Sequence, residues 1–144
     1  MGKIVVSACL LGENCKYNGG NNRSEAVLRY VRGREVIAVC PEMLGGLPAP
    51  RDPAEIVSGE VQNARGESLD APFRAGARRA LAQLDGEEIE LAILQPRSPS
   101  CGGRQIYDGT FSRRLIPGQG VFAQLLAERG IRIVEPEDLE REEL

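Results

Sequence analysis

The chain has 144 residues, 42% of them hydrophobic, with four cysteines, no histidine and a formal net charge of -3 at pH 7. That length suits one α/β domain over 1–144, no apolar run approaches the roughly 20 residues that span a bilayer, and a weakly negative charge gives no general attraction for nucleic acid. The missing imidazole excludes Ser-His-Asp and Cys-His nucleophile pairs, leaving thiolate as the main resource for a transition-metal site and carboxylates, Lys, Tyr or Cys for proton transfer.

Met1-Gly2-Lys3 leads straight into the strand-like run Ile4-Val5-Val6-Ser7-Ala8, without the apolar region of a signal peptide, so a soluble cytoplasmic protein is expected. In that reducing compartment the cysteines are read as ligands or reactive thiols rather than disulfides. The first strand delivers Cys9. Cys9 to Asn22 is rich in Gly and Asn and should turn repeatedly rather than form a regular element. A helix follows, capped by Ser24, striped by Val27, Leu28 and Val31 and ended by Gly33.

A second strand, Val36 to Val39, runs into Cys40-Pro41-Glu42. Pro41 to Leu69 carries Gly45-Gly46 and Pro48, Pro50 and Pro53, which rule out a helix over its first half, and a connection of this length in a compact domain is usually functional or disordered. Ile56 to Val61 fits a short strand or hairpin. Helical spacing returns at Phe73, Ala77, Ala80, Leu81 and Leu84, with Asp70 as cap and Pro72 in the first turn.

The third strand, Ile89 to Leu94, ends in Gln95-Pro96-Arg97-Ser98-Pro99-Ser100-Cys101-Gly102-Gly103. Ile106 to Phe111 is a short extended piece broken by an Asp-Gly turn. Val121, Phe122, Leu125 and Leu126 mark a helix that Gly130 closes, and Ile131 to Val134 is the last strand. The acidic tail from about 135 reads as a turn or two of solvated helix. This alternation predicts a doubly wound, mainly parallel sheet of about four strands, Rossmann or flavodoxin-like, in the order 2-1-3-4, with its switch point between the strands that end at Cys9 and Cys101.

Cys9, Cys40 and Cys101 each follow a strand, so that order brings three thiols to one sheet edge. A lone cysteine is usually a small buried hydrophobe. Cysteines beside Gly and Pro at three strand ends have no such packing reason, and a shared metal site follows. Thiolate ligation admits zinc or iron-sulfur; no C-x-x-C pair occurs, and small residues around the cysteines favour a cluster.

Glu42, two residues beyond Cys40, is the best proton carrier in a chain without histidine, set against a plain capping role. Ser98 and Ser100 alternate with Pro99, which fixes their hydroxyls, and one of the two is expected to make only turn hydrogen bonds. Arg51 and Glu55, four apart, could simply pair with each other. Arg51, Tyr107, Cys15 and Ser100 are candidate pocket residues, with Tyr17 and Asp108 beside them, and Arg113-Arg114 could hold one phosphate.

The blocks Ser7-Ala8-Cys9-Leu10-Leu11-Gly12, Cys15-Lys16-Tyr17-Asn18-Gly19, Cys40-Pro41-Glu42, Gly45 to Arg51, Ser98-Pro99-Ser100-Cys101-Gly102 and Ile106 to Phe111 together resemble the thiouracil desulfidase family. The resemblance runs from Ile4 to about Val134. It implies a [4Fe-4S] cluster on Cys9, Cys40 and Cys101 with one iron open to the sulfur of a thiolated pyrimidine or similar small molecule. Water then attacks the thiocarbonyl carbon without net redox change, with Glu42 as acid/base and Ser98 as its polar partner. Cys15 is expected not to be a ligand, because it alone does not follow a strand. Asn18 stands where the family usually has Asp, and Gln95-Pro96 where a lysine is common. The alternative reading is a non-catalytic module, metal-binding or redox-sensing, with cysteine-bound zinc or a transient cluster.

Overall fold

Alternate residues along the first strand face opposite layers, and both layers are apolar. In the computed structural model, which describes residues 2–140, Val5 packs in one core with Ala92, Leu94, Phe73, Ala77 and Phe122. Ile4 and Val6 pack in the other with Leu91, Ile93 and Val27. A strand buried on both faces reads as a continuous apolar run, the mark of a parallel sheet covered by helices on each side.

The elements in order are β1 (Lys3–Ser7), a short 3-10 helix (Ala8–Leu11), α1 (Glu25–Val31), β2 (Val36–Val39), α2 (Pro41–Leu44), β3 (Ala54–Val57), β4 (Glu60–Asn63), α3 (Asp70–Ala82), β5 (Ile89–Ile93), β6 (Gln105–Tyr107), β7 (Leu115–Pro117), α4 (Val121–Glu128), β8 (Ile133–Val134) and α5 (Pro136–Glu140). The main sheet has the order β2-β1-β5-β8, all parallel. This is the expected 2-1-3-4 arrangement, Rossmann-like and doubly wound, with its switch point between β1 and β5. Ser7 pairs with Val39, and Val6 with Ile93, so three strands finish level with one another and their following loops share one edge. Among the described residues no helix is long and apolar enough to cross a membrane.

Ser24 caps α1 by accepting from the Val27 amide, and β3 and β4 form the anticipated hairpin. Four local expectations are corrected. Pro41 opens a single helical turn, α2, because a proline at the first helical position forfeits no hydrogen bond. Asp70 is not the cap of α3; Leu69 holds that place, and the Asp70 carboxylate accepts from the Val61 amide and from Arg74. The segment after Phe111 returns as β7 to pair with β6. The acidic tail is not simply solvated: Glu135 and Asp138 are buried against Arg104, which holds α5 to the loop after β5. Residues 141–144 of that tail lie outside the described residues.

Two glycines set where α2 can lie. A Cβ at Gly76 would stand 1.8 Å from the Pro41 carbonyl oxygen, and one at Gly45 2.1 Å from that of Pro72. Here α2 and α3 cross backbone to backbone, and Arg79 adds a hydrogen bond to the Leu44 carbonyl. That crossing fixes the Cys40-Pro41-Glu42 turn against the sheet edge.

Candidate functional site

The loops beyond β1, β2 and β5 enclose a cavity of about 630 Å³, lined by all four cysteines together with Glu42, Arg51, Ser98 and Tyr107. Cys9 sits in the 3-10 turn directly after β1, Cys40 is the residue before α2, and Cys101 ends the tight turn after β5. All four are free thiols.

Each of the three strand-end sulfurs has a neutral hydrogen-bond donor. Asn22 Nδ2 lies 3.5 Å from Cys9 Sγ. The Ser7 hydroxyl bonds Cys101, while its oxygen accepts from the Gln95 amide at 3.0 Å, so this one side chain ties the end of β1 to the loop after β5. Cys40 takes the Cys15 thiol and the Met43 amide.

These contacts sort the thiols. Burial pushes Cys9 and Cys101 up, the donors Asn22 and Ser7 partly offsetting it, and the neighbouring charges of Cys40 and Glu42 push both further. The bond to Cys40 followed by burial holds Cys15 well above the usual thiol range. The same bond, helped by the Met43 amide and opposed by burial, lowers Cys40 to about 7. Cys40 Sγ also lies 3.9 Å from the Cys15 carbonyl oxygen, a contact open to its neutral form. Thiols that oppose one another's ionisation would lose their protons to solvent together only when a cationic group binds the thiolates, which would couple loading to pH.

The donor set fits an iron-sulfur cluster. It offers thiolate without imidazole, and each sulfur already carries the kind of hydrogen bond that tunes such centres.

Arg51 organises the mouth. Its Nε and Nη2 both donate to Glu42 Oε1, at 3.0 and 2.8 Å, so this pair does not use Oε2. Nη2 also reaches the Cys15 carbonyl at 2.9 Å and Nη1 that of Pro48 at 2.9 Å. One guanidinium thus fixes the carboxylate, the Cys15 loop and the proline-rich segment. Arg51 and Glu55 do not pair with each other; they belong to a non-helical segment, where a four-residue spacing does not bring side chains together. Glu55 Oε1 instead accepts from the Gly109 and Phe111 amides, pinning the turn after β6 beside the cavity.

Ser98 Oγ accepts from the Ser100 and Cys101 amides at 3.0 Å each, which makes it the turn-forming serine and leaves its hydrogen to donate. Ser100 does not line the cavity: the turn wraps it inward, 1% exposed, with its hydroxyl unpartnered among the described residues. Asn18 closes its own turn by accepting from the Gly20 amide. Gln95, Tyr17 and Arg113 border the cavity, while Asp108 bonds Thr110 and lies near Arg114. Ser7 and Asn22, not singled out in the sequence, are the residues the structure adds.

A family model for 2-thiouracil desulfurase matches residues 4–138. The chain belongs to this family. It is 38% identical over 146 residues to the uncharacterised protein YbbK of Bacillus subtilis (strain 168), across 94% of this chain and 97% of that protein. It also resembles the solved structure of the [4Fe-4S]-dependent thiouracil desulfidase TudS at a TM-score of 0.89 and 38% identity, covering 98% of this chain and 95% of TudS. This desulfurase-family chain therefore shares a whole fold with TudS, beyond one matching motif.

Proposed function

We propose that this chain is a [4Fe-4S]-dependent desulfidase that removes sulfur from a thiolated pyrimidine or similar thioamide by hydrolysis, with release of sulfide. The observation that carries the reading is the convergence of Cys9, Cys40 and Cys101 from three strand ends on one cavity that also holds Glu42. The family match and the likeness to TudS support the substrate class and the cofactor.

Cys9, Cys40 and Cys101 would hold the cluster. Bound there, it would supply Lewis acidity toward the thiocarbonyl sulfur. The rest falls to the chain. Glu42, fixed through Oε1 by Arg51, takes a proton from the attacking water on Oε2 and returns it to the departing sulfur. Oxygen from water replaces sulfur on the carbon, the sulfur leaves as sulfide, and no electrons are gained or lost. The Ser98 hydroxyl, its oxygen anchored by two amides, donates toward the substrate, and Tyr107 forms part of the wall. Cys15 stays outside the ligand set.

The test is a set of variants reconstituted without oxygen. Cys9→Ala, Cys40→Ala and Cys101→Ala are expected to lose bound iron and sulfide, and Cys15→Ala to keep them. Glu42→Gln should keep the cluster spectrum and lose turnover. Turnover by Glu42→Gln at the parental rate would return that carboxylate to a structural role.

A further inference from the structure

Cys15 has no part in the proposed hydrolysis, yet it is buried in the cavity wall with its thiol bonded to Cys40. The contact is held in place. Arg51 Nη2 bonds both the Cys15 carbonyl and Glu42, two residues beyond Cys40, so one side chain clamps the two cysteine-bearing segments together. Cys40 Sγ lies 3.9 Å from the Cys15 carbonyl oxygen, a second contact between the same residues. Cys9 and Cys101 are bonded instead to Asn22 and Ser7, which cannot form disulfides.

We propose that Cys15 and Cys40 form a reversible oxidative modification site in protein that lacks its cluster, closing to a disulfide on reaction with a hydroperoxide. In the first step the Cys40 sulfur takes one oxygen from hydrogen peroxide to become a sulfenic acid, and one water leaves. The Cys15 sulfur then attacks the sulfenic sulfur, the S–O bond breaks, and the oxygen departs as a second water with the Cys15 proton. Two thiols are oxidised by two electrons and one peroxide is reduced. A resolving thiol beside a reactive one stops oxidation at a stage that thiol reductants reverse, whereas an isolated sulfenic acid continues to sulfinic and sulfonic acids. The consequence for cluster loading rests on the reading of Cys40 as a ligand; formation of the disulfide does not.

The experiment uses full-length protein stripped of iron by chelation, reduced, and treated with stoichiometric hydrogen peroxide in the absence of oxygen. Free thiols should fall from four to two, peptide mapping should give one linkage, Cys15 to Cys40, and dithiothreitol should restore both the thiols and cluster loading. In Cys15→Ser, an excess of peroxide, at least about two equivalents per Cys40, should leave two or three added oxygens on Cys40, which dithiothreitol does not remove, so cluster loading should stay well below that of the untreated variant, whereas wild type given the same excess should recover. Retention of four thiols, a dominant linkage through Cys9 or Cys101, or full recovery of Cys15→Ser would overturn the proposal. The wild-type peptide map decides the matter even if the variant fails to fold. If the linkage forms but Cys40→Ala still loads a cluster normally, the ligand assignment fails and the modification site stands.

Discussion

Replacing Arg51 by methionine tests whether Glu42 is a charge fixed by one partner. The Arg51 and Glu42 side chains are only 9% and 15% exposed, and the guanidinium makes two bonds to Oε1 and one to each of two carbonyls. Removing one member of a buried ion pair costs about 3–5 kcal/mol, most of it from the charge left behind. The Pro48 carbonyl lies near solvent and water can replace its bond, so we expect Arg51→Met to lose about 3 kcal/mol. Glu42→Gln keeps an acceptor for the guanidinium and should lose about 1–2 kcal/mol. The double variant leaves no charge unpaired and should be more stable than the sum of the single losses implies, by about 2 kcal/mol. The assay is urea unfolding of reduced, cluster-free protein followed by circular dichroism, across all four members of the cycle. Additivity within about 0.5 kcal/mol would mean that Arg51 does not fix the carboxylate, and the account of Glu42 would lose its structural basis.

Gly76→Ala would drive a methyl into the Pro41 carbonyl and displace the Cys40-Pro41-Glu42 turn; we expect a loss of about 2–3 kcal/mol and of bound iron. Gly33→Ala, with open space around it but a left-handed backbone, should cost about 1 kcal/mol and keep its iron, and equal iron loss in both would refute the positional argument. Asn22→Ala and Ser7→Ala should each move the cluster's reduction potential to more negative values and weaken its binding by about 10–100-fold; an unchanged potential in spectroelectrochemical titration would deny these donors a role at the sulfurs. In cluster-free protein Cys40 should alkylate first as pH rises, with a midpoint near its value of about 7, while Cys9 and Cys101 follow only at more alkaline pH. The sign carries into stability. The Cys40 contribution is complete above the unfolded thiol value and is lost as pH falls toward 7, whereas those of Cys9 and Cys101 fade as pH rises. Alkylation of Cys40 in step with an unfolded control would contradict this.

The sheet was legible because the central strands β1 and β5 are buried on both faces toward their C-terminal ends, which writes apolar runs into the sequence, and the strand order brings the ends of β1, β2 and β5 together. Cysteines that follow those runs inherit a common location, so the thiol site could be anticipated before any side chain was placed. The supporting contacts could not. Ser7 looks like any small residue at a strand end; its value comes from Gln95 and Cys101, about ninety residues away. Asn22 reaches Cys9 because the loop folds back over the 3-10 turn, and its only trace was an Asn-rich composition. Arg51 meets Glu42 across a proline-rich segment with no regular period, where the spacing suggested Glu55 instead. Ser98 and Ser100 look equivalent in sequence, but the turn presents one hydroxyl to the cavity and buries the other.

The most direct test of non-redox hydrolysis at this site is a single turnover of anaerobically reconstituted protein with thiouracil in water enriched in oxygen-18, without any added electron donor or acceptor. The account predicts uracil carrying one heavy oxygen at the former thiocarbonyl carbon, together with one sulfide per product. Product without the heavy oxygen, sulfur released at another oxidation level, or a requirement for an electron donor would contradict it.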